Sequence, residues 1–258
     1  MKVLKRKCAY CNSPENLTRE HIFPGSIIRR YDEEMLSLND KSDKTFKSDL
    51  VIKDVCKLCN NGILSELDSK FYDIYDKYMH SAVLPGESAD LLYDYNSLLR
   101  ILLKISFNSA RASADGIKAV NTLKKHVPYI LGKRTVAPNV MLRLQIVTSA
   151  RRLNPTTNEV IGMFEARLLR NCKVTYDGPQ KSNFNVRLIA FNSFWFYIIL
   201  PTKQVNKTKK RAFLEGFKNW VVQPGVPISP NKTYIKIPAE QTTYMHPSLL
   251  SDIARKSA

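Results

Sequence analysis

The spacing of apolar residues predicts different secondary structure in successive parts of the 258-residue chain. In the first 60 residues the apolar positions are sparse, and two short segments, 17–23 and 49–55, are predicted to be strands. Apolar residues then recur at helical spacing from Ile63 to Tyr78, which predicts a long amphipathic helix. The expected order is strand, loop, strand, helix, with the polar run 38–47 predicted as a surface loop.

Beyond a predicted linker at 84–88, both helical and alternating spacings occur. The elements predicted there are helices at 89–114, 117–131 and 207–221, and strands at 140–146, within 160–176, at 184–191 and at 194–200. The second of these helices is expected to break at Pro128, and Asn192-Ser193 is expected to form a tight hairpin turn. The chain is therefore predicted to be α+β, with a first domain at 1–84 and, at 85–258, a second domain of helices and a mainly antiparallel sheet.

The charge of the chain is strongly positive and unevenly distributed. The whole chain holds 40 Lys and Arg against 23 Asp and Glu, a formal net charge of +17. Residues 1–84 hold 14 basic and 13 acidic side chains, and residues 85–258 hold 26 and 10. We therefore expect residues 85–258 to attract a polyanion such as DNA, with a protein partner or a merely solvated basic surface as the alternatives.

The apolar runs are too short for a membrane protein. The longest nearly unbroken run, 194–200, cannot cross a bilayer, and the basic N-terminus reaches Cys8 before any apolar leader segment can form. We therefore expect no transmembrane helix, no secretory signal and a reducing cytoplasm. In that compartment Cys-x-x-Cys pairs hold metal more often than they form disulfides, and the fifth cysteine, Cys172, is predicted to be a small buried hydrophobe.

Four of the five cysteines form two Cys-x-x-Cys knuckles, one at the start of the chain and one before the predicted long helix. The first pair is Cys8 and Cys11, and the second is Cys56 and Cys59. In each pair the two-residue loop lets both sulfur atoms face the same ion. The two pairs together predict one tetrahedral structural Zn²⁺ site.

An acid–histidine pair lies between the two knuckles. Glu20-His21 is followed closely by Pro24, and Asn60 comes directly after the second knuckle. The two knuckles, the pair and this asparagine, in this order, resemble the pattern of HNH endonucleases, in the branch held together by a four-cysteine zinc. The resemblance covers roughly residues 8–80. It implies a ββα-metal unit, in which the histidine ends the first strand and a helix begins at the second knuckle.

The resemblance also implies roles for individual residues. By position, His21 corresponds to the general base, Glu20 to the acidic ligand of a catalytic Mg²⁺ or Mn²⁺, and Asn60 to the ligand carried by the helix. These residue types suit phosphodiester hydrolysis, because a base must deprotonate water and a cation must offset the charge on the phosphate. Asn60 could instead only cap its helix, an alternative that the sequence leaves open.

The sequence departs from the family pattern at two positions. Val51 and Leu64 stand where family members often carry an asparagine and a metal-binding histidine, so Asn61 or Asp68 is expected to supply the missing ligand. Adjacent side chains on a regular strand point to opposite sides, so the backbone around the acid–histidine pair is expected to depart from regular extension.

The sequence therefore predicts a zinc-stabilised, metal-dependent endonuclease that acts on double-stranded DNA. The resemblance associates such a protein with restriction or phage defence. The alternative is a non-catalytic, zinc-stabilised module that binds nucleic acid or protein. The basic helix around 207–218 is expected either to contact the DNA backbone or simply to be solvated.

Overall fold

The computed structural model describes residues 6–31, 37–39, 44–46, 50–113, 116–219 and 224–245. These residues form helices and mainly antiparallel sheets, which confirms the predicted α+β class. The chain divides into two compact units. Unit 1 comprises Met1–Ile74 and Asn96–Pro138, and unit 2 comprises Tyr75–Tyr95 and Asn139–Ala258. The functional division into 1–84 and 85–258 stays a prediction.

Unit 1 is built mainly of helices, with two short antiparallel strand pairs. Its strands are β1 (Leu17–His21), β2 (Ser37–Asn39), β3 (Lys44–Phe46) and β4 (Val51–Cys56), and its helices are α1 (Gly25–Ile28), α2 (Lys57–Cys59), α3 (Ser65–Ile74), α4 (Tyr95–Ala112, of which Asn96 onward belongs to the unit), α5 (Gly116–Lys124) and α6 (Val127–Ile130). β1 pairs with β4 as the sequence predicts. β2 pairs with β3, so the prediction of a loop over 38–47 is wrong in part, because three-residue strands are too short to show an alternating pattern.

The helix predicted after the second knuckle is present but irregular. It begins at Lys57, passes through a π-helical turn at Asn60–Leu64 and continues as α3. Gly62, with φ −96° and ψ −113°, interrupts the helical backbone. The two buried apolar side chains of α3, Leu67 and Phe71, lie on the same face of the helix, as the spacing predicts.

Helix α4 supplies much of the core of unit 1. All residues from Leu98 to Ala110 are buried except Arg100. The predicted helix at 89–114 starts too early, however, because Ser88–Leu92 is a strand, β5, in unit 2. Its partner strand, Tyr234–Pro238, lies far away in sequence, so helical periodicity in the neighbouring residues concealed it. The helix predicted at 117–131 is interrupted, but the break precedes Pro128: α5 ends at Lys124, and Pro128 lies in the first turn of α6, where a missing backbone N–H costs nothing.

Unit 2 contains a mixed sheet that is antiparallel except at one strand pair. In addition to β5, its elements are β6 (Met141–Thr148), β7 (Ala150–Leu153), β8 (Val160–Phe164), β9 (Leu169–Val174), β10 (Phe184–Phe191), β11 (Phe194–Pro201), α7 (Lys207–Lys218), β12 (Val226–Pro227), β13 (Tyr234–Pro238) and β14 (Gln241–Thr242). The strand order of the main sheet is β12-β6-β11-β10-β9, with β14 parallel to β6. The hairpin of β10 and β11 is confirmed, and Asn192 takes the left-handed conformation of its turn at φ 50°.

Helix α7 packs on the main sheet through aromatic side chains. Phe213 and Phe217 lie in a core cluster that includes Tyr176, Phe184 and Tyr197. The helix is shorter than the predicted 207–221, and residues 220–223 lie outside the described residues. None of the helices that the structure describes combines the length and apolar character needed to cross a bilayer.

The fifth cysteine is less enclosed than the sequence predicts. Cys172 lies in β9, is only partly buried, and its Sγ accepts a hydrogen bond from Arg170 Nε at 3.4 Å. Cys172 also packs against the hydrophobic core cluster of unit 2, so it has apolar neighbours as predicted and a polar one in addition.

Candidate functional site

The four knuckle cysteines come together as the sequence predicts. Their Sγ atoms all lie within 4.8 Å of one another, and those of Cys11 and Cys56 are 3.4 Å apart. Zinc–sulfur bonds of about 2.3 Å in a tetrahedron would separate the sulfur atoms by roughly 3.8 Å. The four side chains are thus close enough together to hold a metal ion such as zinc.

Burial and backbone hydrogen bonds at the knuckles shift the pKa values of Cys8 and Cys59. Burial alone would raise the pKa of Cys8, but hydrogen bonds from the backbone at Cys56, Cys11 and Tyr10 outweigh it and lower the pKa to about 7. Burial raises the pKa of Cys59. Because the thiolate is the form that binds metal, this lowering favours ligation by Cys8 at neutral pH.

Strand β1 carries the acid–histidine pair next to an irregularity in the strand pairing. Thr18 faces Val55 and Glu20 faces Ile52, so two residues of β4 oppose the single residue Arg19. The departure from regular extension thus lies one residue before the pair. The side chain of Glu20 is buried, with the residue only 4 % exposed, whereas His21 is partly exposed.

Asn60 binds this irregular part of β1. Its Nδ2 atom donates hydrogen bonds to the backbone oxygen of Arg19 at 2.8 Å and to Thr18 Oγ1 at 2.9 Å. The amide nitrogen must face the strand, because a carbonyl oxygen can only accept. Asn60 lies inside its helix, after α2, and therefore does not act as the N-cap.

The two predicted carboxylate ligands are both paired with a lysine that sequence reasoning missed. Lys104 Nζ lies 2.5 Å from Glu20 Oε1, and 2.6 and 2.8 Å from the two carboxylate oxygens of Asp68. Lys104 is fully buried in α4. Burial raises the pKa of both carboxyls, and the adjacent ammonium opposes that shift.

This pairing bears directly on the expected catalytic cation. A divalent cation bridging Glu20 and Asp68 would need the oxygen atoms that now surround the Lys104 ammonium. The residues therefore do not fit a second cation as these side chains stand. Among the described residues, the four cysteines are the one group of three or more His, Cys, Asp or Glu side chains close enough to share an ion.

Lys104 belongs to a polar stripe on the largely buried helix α4. Asn108 and Arg111 follow it at helical spacing on the same face. Asn108 Nδ2 donates to the backbone oxygen of His21 at 3.3 Å, and Arg111 Nη2 donates to Asp54 Oδ1 at 3.3 Å. The stripe therefore holds both β1 and β4. In the sequence, the stripe shows only as a few polar residues that interrupt the apolar spacing by which the helix is predicted.

A second missed residue lies beside the histidine. A Cβ atom at Gly25 would lie 3.7 Å from His21 Nε2 and 3.5 Å from Arg29 Nη1. Arg29 is exposed and directly follows α1, whose first residue is Gly25. An imidazole and a guanidinium thus both approach the same point beside this glycine. Arg29 has no distinctive sequence signal, since its neighbour Arg30 is also an arginine.

The two positions that depart from the family pattern do not carry ligands here. Val51 pairs directly with His21 across the strands, and Leu64 is fully buried in the core of unit 1. Asn61, one of the two proposed substitutes, is exposed, and Asp68, the other, is the partner of Lys104. An aliphatic side chain at either departing position packs against neighbours and offers no electron pair to a cation.

Comparison with known proteins leaves the family open, because no family model, curated protein or solved structure gives a significant match to the chain. What the chain does must therefore be inferred from its own residues and their geometry.

Proposed function

We propose that the chain is an HNH-type endonuclease that hydrolyses phosphodiester bonds in double-stranded DNA, with His21 as the general base. The observation that carries the proposal is the approach of the His21 imidazole and the Arg29 guanidinium to the same point beside Gly25. Hydrolysis requires a base for the attacking water and positive charge beside the phosphate. The imidazole supplies the first, and the guanidinium, a good partner for phosphate oxygens, supplies the second.

The surrounding scaffold supports this assignment. β1 and β4 form an antiparallel pair, and a helix begins directly after β4 at the second knuckle. The four cysteines would hold a zinc ion whose contribution is folding energy. A reducing cytoplasm would keep those thiols available. A role in restriction or phage defence stays a prediction.

The charge distribution supports a DNA substrate. Helix α7 carries the exposed basic side chains Lys207, Lys209, Arg211 and Lys218, with Glu215 as its one exposed acidic residue. Phosphate groups are bound mainly by such side chains, and their binding releases counterions. The helix is therefore the surface of unit 2 that we assign to the DNA backbone.

Dependence on Mg²⁺ or Mn²⁺ remains a prediction. Glu20 and Asp68 are held by Lys104, and the amide nitrogen of Asn60 is held by β1. We therefore assign no step of the reaction to a second cation. The side chains that act on the substrate in this proposal are His21 and Arg29.

A second candidate function is a non-catalytic, zinc-stabilised module that binds DNA or a protein. The observation that favours it is the same pairing of Lys104 with Glu20 and Asp68, which leaves a divalent cation without its expected carboxylate ligands. Both candidates share the zinc site and the basic surface. They differ in whether a phosphodiester bond is broken.

Nicking of a supercoiled plasmid separates the two. Zinc-loaded full-length chain is incubated with the plasmid in Mg²⁺, in Mn²⁺ or in a chelator too weak to remove the structural zinc. Nicked circles that fail to form with His21→Ala support the endonuclease. Retention of the plasmid on the protein without nicking in all three conditions overturns it in favour of the binding module.

Gly25→Ala tests the site itself. The added methyl group would make contacts of 3.5 to 3.7 Å, which are ordinary packing distances, so folding should be unaffected. The methyl would nevertheless lie against both His21 and Arg29, where a phosphate would have to approach them, and nicking should slow markedly. Ser26→Ala on the same short helix is the matched control. Equal nicking by Gly25→Ala and the parent would remove this position from the proposal.

A further inference from the structure

The starting observation is a fully buried lysine in the middle of an apolar helix. Lys104 has no exposed surface, and its neighbours in α4, Leu103 and Ile105, are buried as well. An ammonium group in such surroundings is strongly disfavoured unless opposite charges compensate for its lost hydration. Glu20 and Asp68 provide that compensation from β1 and α3.

The arrangement around Lys104 Nζ resembles a coordination sphere. Three carboxylate oxygens from two side chains lie 2.5 to 2.8 Å from the nitrogen. Divalent cations are bound by carboxylate oxygens at about 2.0 to 2.6 Å. The ammonium therefore takes the position of a cation that would bridge the two carboxylates.

We propose that Lys104 is the built-in cation of this site and excludes a divalent cation from Glu20 and Asp68. A divalent ion would have to displace an ammonium that has no exposed surface, and the residues before and after Lys104 in α4 are fully buried as well. The carboxylates thus hold α4 and α3 against β1 and position the backbone at His21. The part of this inference that gives the two carboxylates a role in the reaction rests on the proposed function. The exclusion of a divalent cation does not depend on that function.

The first measurement uses the parent and two isosteric variants. Mn²⁺ binding to the zinc-loaded full chain is followed by electron paramagnetic resonance for the parent, Glu20→Gln and Asp68→Asn. We expect the same Mn²⁺ binding in all three proteins. Mn²⁺ that still binds to both variants must bind at another site, which agrees with the proposal. One Mn²⁺ per parent chain that either substitution removes would overturn it.

The second measurement removes the ammonium. Lys104→Met removes the ammonium, keeps most of the length of the side chain and leaves two carboxylates uncompensated. It should therefore bind Mn²⁺ at least about tenfold more tightly than the parent does. Mn²⁺ should also raise its melting temperature more than that of the parent. The neutral variant Lys104→Met/Glu20→Gln/Asp68→Asn should lose both responses. A folded Lys104→Met that binds Mn²⁺ no better than the parent would overturn the proposal.

The proposal can be tested even if Lys104→Met is unstable or the protein cleaves no DNA. If Lys104→Met does not fold, the parent and its two isosteric variants still decide whether the carboxylates are ligands. Mn²⁺ binding is also read without any cleavage. A parent that nicks no DNA but shows the expected Mn²⁺ pattern loses the proposed function and keeps the assignment of Lys104.

Discussion

Asn60 donates a hydrogen bond from its side-chain amide to the backbone oxygen of Arg19, one residue before the acid–histidine pair. A second hydrogen bond from the same nitrogen reaches Thr18 Oγ1. The residue that the family pattern marks as a cation ligand is therefore used, through its nitrogen, to hold the irregular part of β1. This hydrogen bonding makes Asn60 a positioning residue for Glu20 and His21.

Asn60→Asp distinguishes a brace from a ligand. Aspartate keeps an oxygen that could bind a cation, but it cannot donate a hydrogen bond to the Arg19 carbonyl. The substitution therefore removes the hydrogen bond that braces β1 and retains a possible ligand. We expect the free energy of unfolding to fall by about 1 to 2 kcal/mol, with a loss of nicking that added Mg²⁺ or Mn²⁺ does not restore. Chemical denaturation and plasmid nicking measure both. Asn61→Ala, at the exposed neighbouring position, is the control, and full activity of Asn60→Asp would contradict the role as a brace.

The zinc site should control the stability of unit 1. Replacing Cys8 or Cys59 by serine removes a ligand from the cluster, and the binding free energy of a structural zinc is folding free energy. We expect stoichiometric zinc in the parent, its loss in either variant, and a lower melting temperature. Cys172→Ser, in unit 2, is the control and should melt like the parent. A parent without zinc, or a Cys59→Ser variant that melts like it, contradicts the assignment.

The sequence predicted those parts whose signal is local. Two Cys-x-x-Cys pairs were enough to predict the four-thiol cluster, and Asn192-Ser193 between two apolar runs was enough to predict the hairpin. Both depend on geometry that a few neighbouring residues determine.

The parts that were missed depend on residues far apart in sequence. Lys104 acquires its meaning only when Glu20 and Asp68 are placed beside it, and nothing in the spacing of α4 indicates those partners. The predicted helix at 89–114 wrongly included β5, because the strand that pairs with β5 comes near the end of the described chain. An isolated lysine between Leu103 and Ile105 is nevertheless a usable signal, since a buried charge must find a counter-ion.

Helix α7 should determine the salt dependence of DNA binding. Removing one cation that binds a phosphate lowers the magnitude of the slope of log K against log salt by about 0.9 for double-stranded DNA. We expect Lys207→Ala, Lys209→Ala and Arg211→Ala each to weaken binding without sequence preference and to reduce that slope. Fluorescence anisotropy over a salt series measures it. Lys232→Ala and Lys236→Ala, at exposed positions on other elements, are the controls, and equal slopes for all five variants would contradict the assignment.

His126 should make stability depend on pH. Burial, with a smaller contribution from Lys125, lowers the pKa of His126 to about 4, whereas an unfolded histidine titrates near 6.5. The folded state thus favours the neutral imidazole, so the stabilisation is complete above about pH 6.5 and is lost as the pH falls towards 4. The loss should approach roughly 3 kcal/mol relative to His126→Gln, measured by denaturation at several pH values. A parent and variant that lose stability in parallel over this range would contradict it.

The most direct test of the central claim is the rate at which His21→Ala cleaves DNA. The substitution leaves the backbone oxygen that Asn108 binds, so zinc content, melting temperature and DNA affinity should match the parent. Single-turnover cleavage of a labelled duplex should then be slower by about 100-fold or more, because the base for the attacking water is missing. His80→Ala, at an exposed position in unit 2, should cleave at the parent rate. Equal rates for the parent and a clean preparation of His21→Ala would contradict the account.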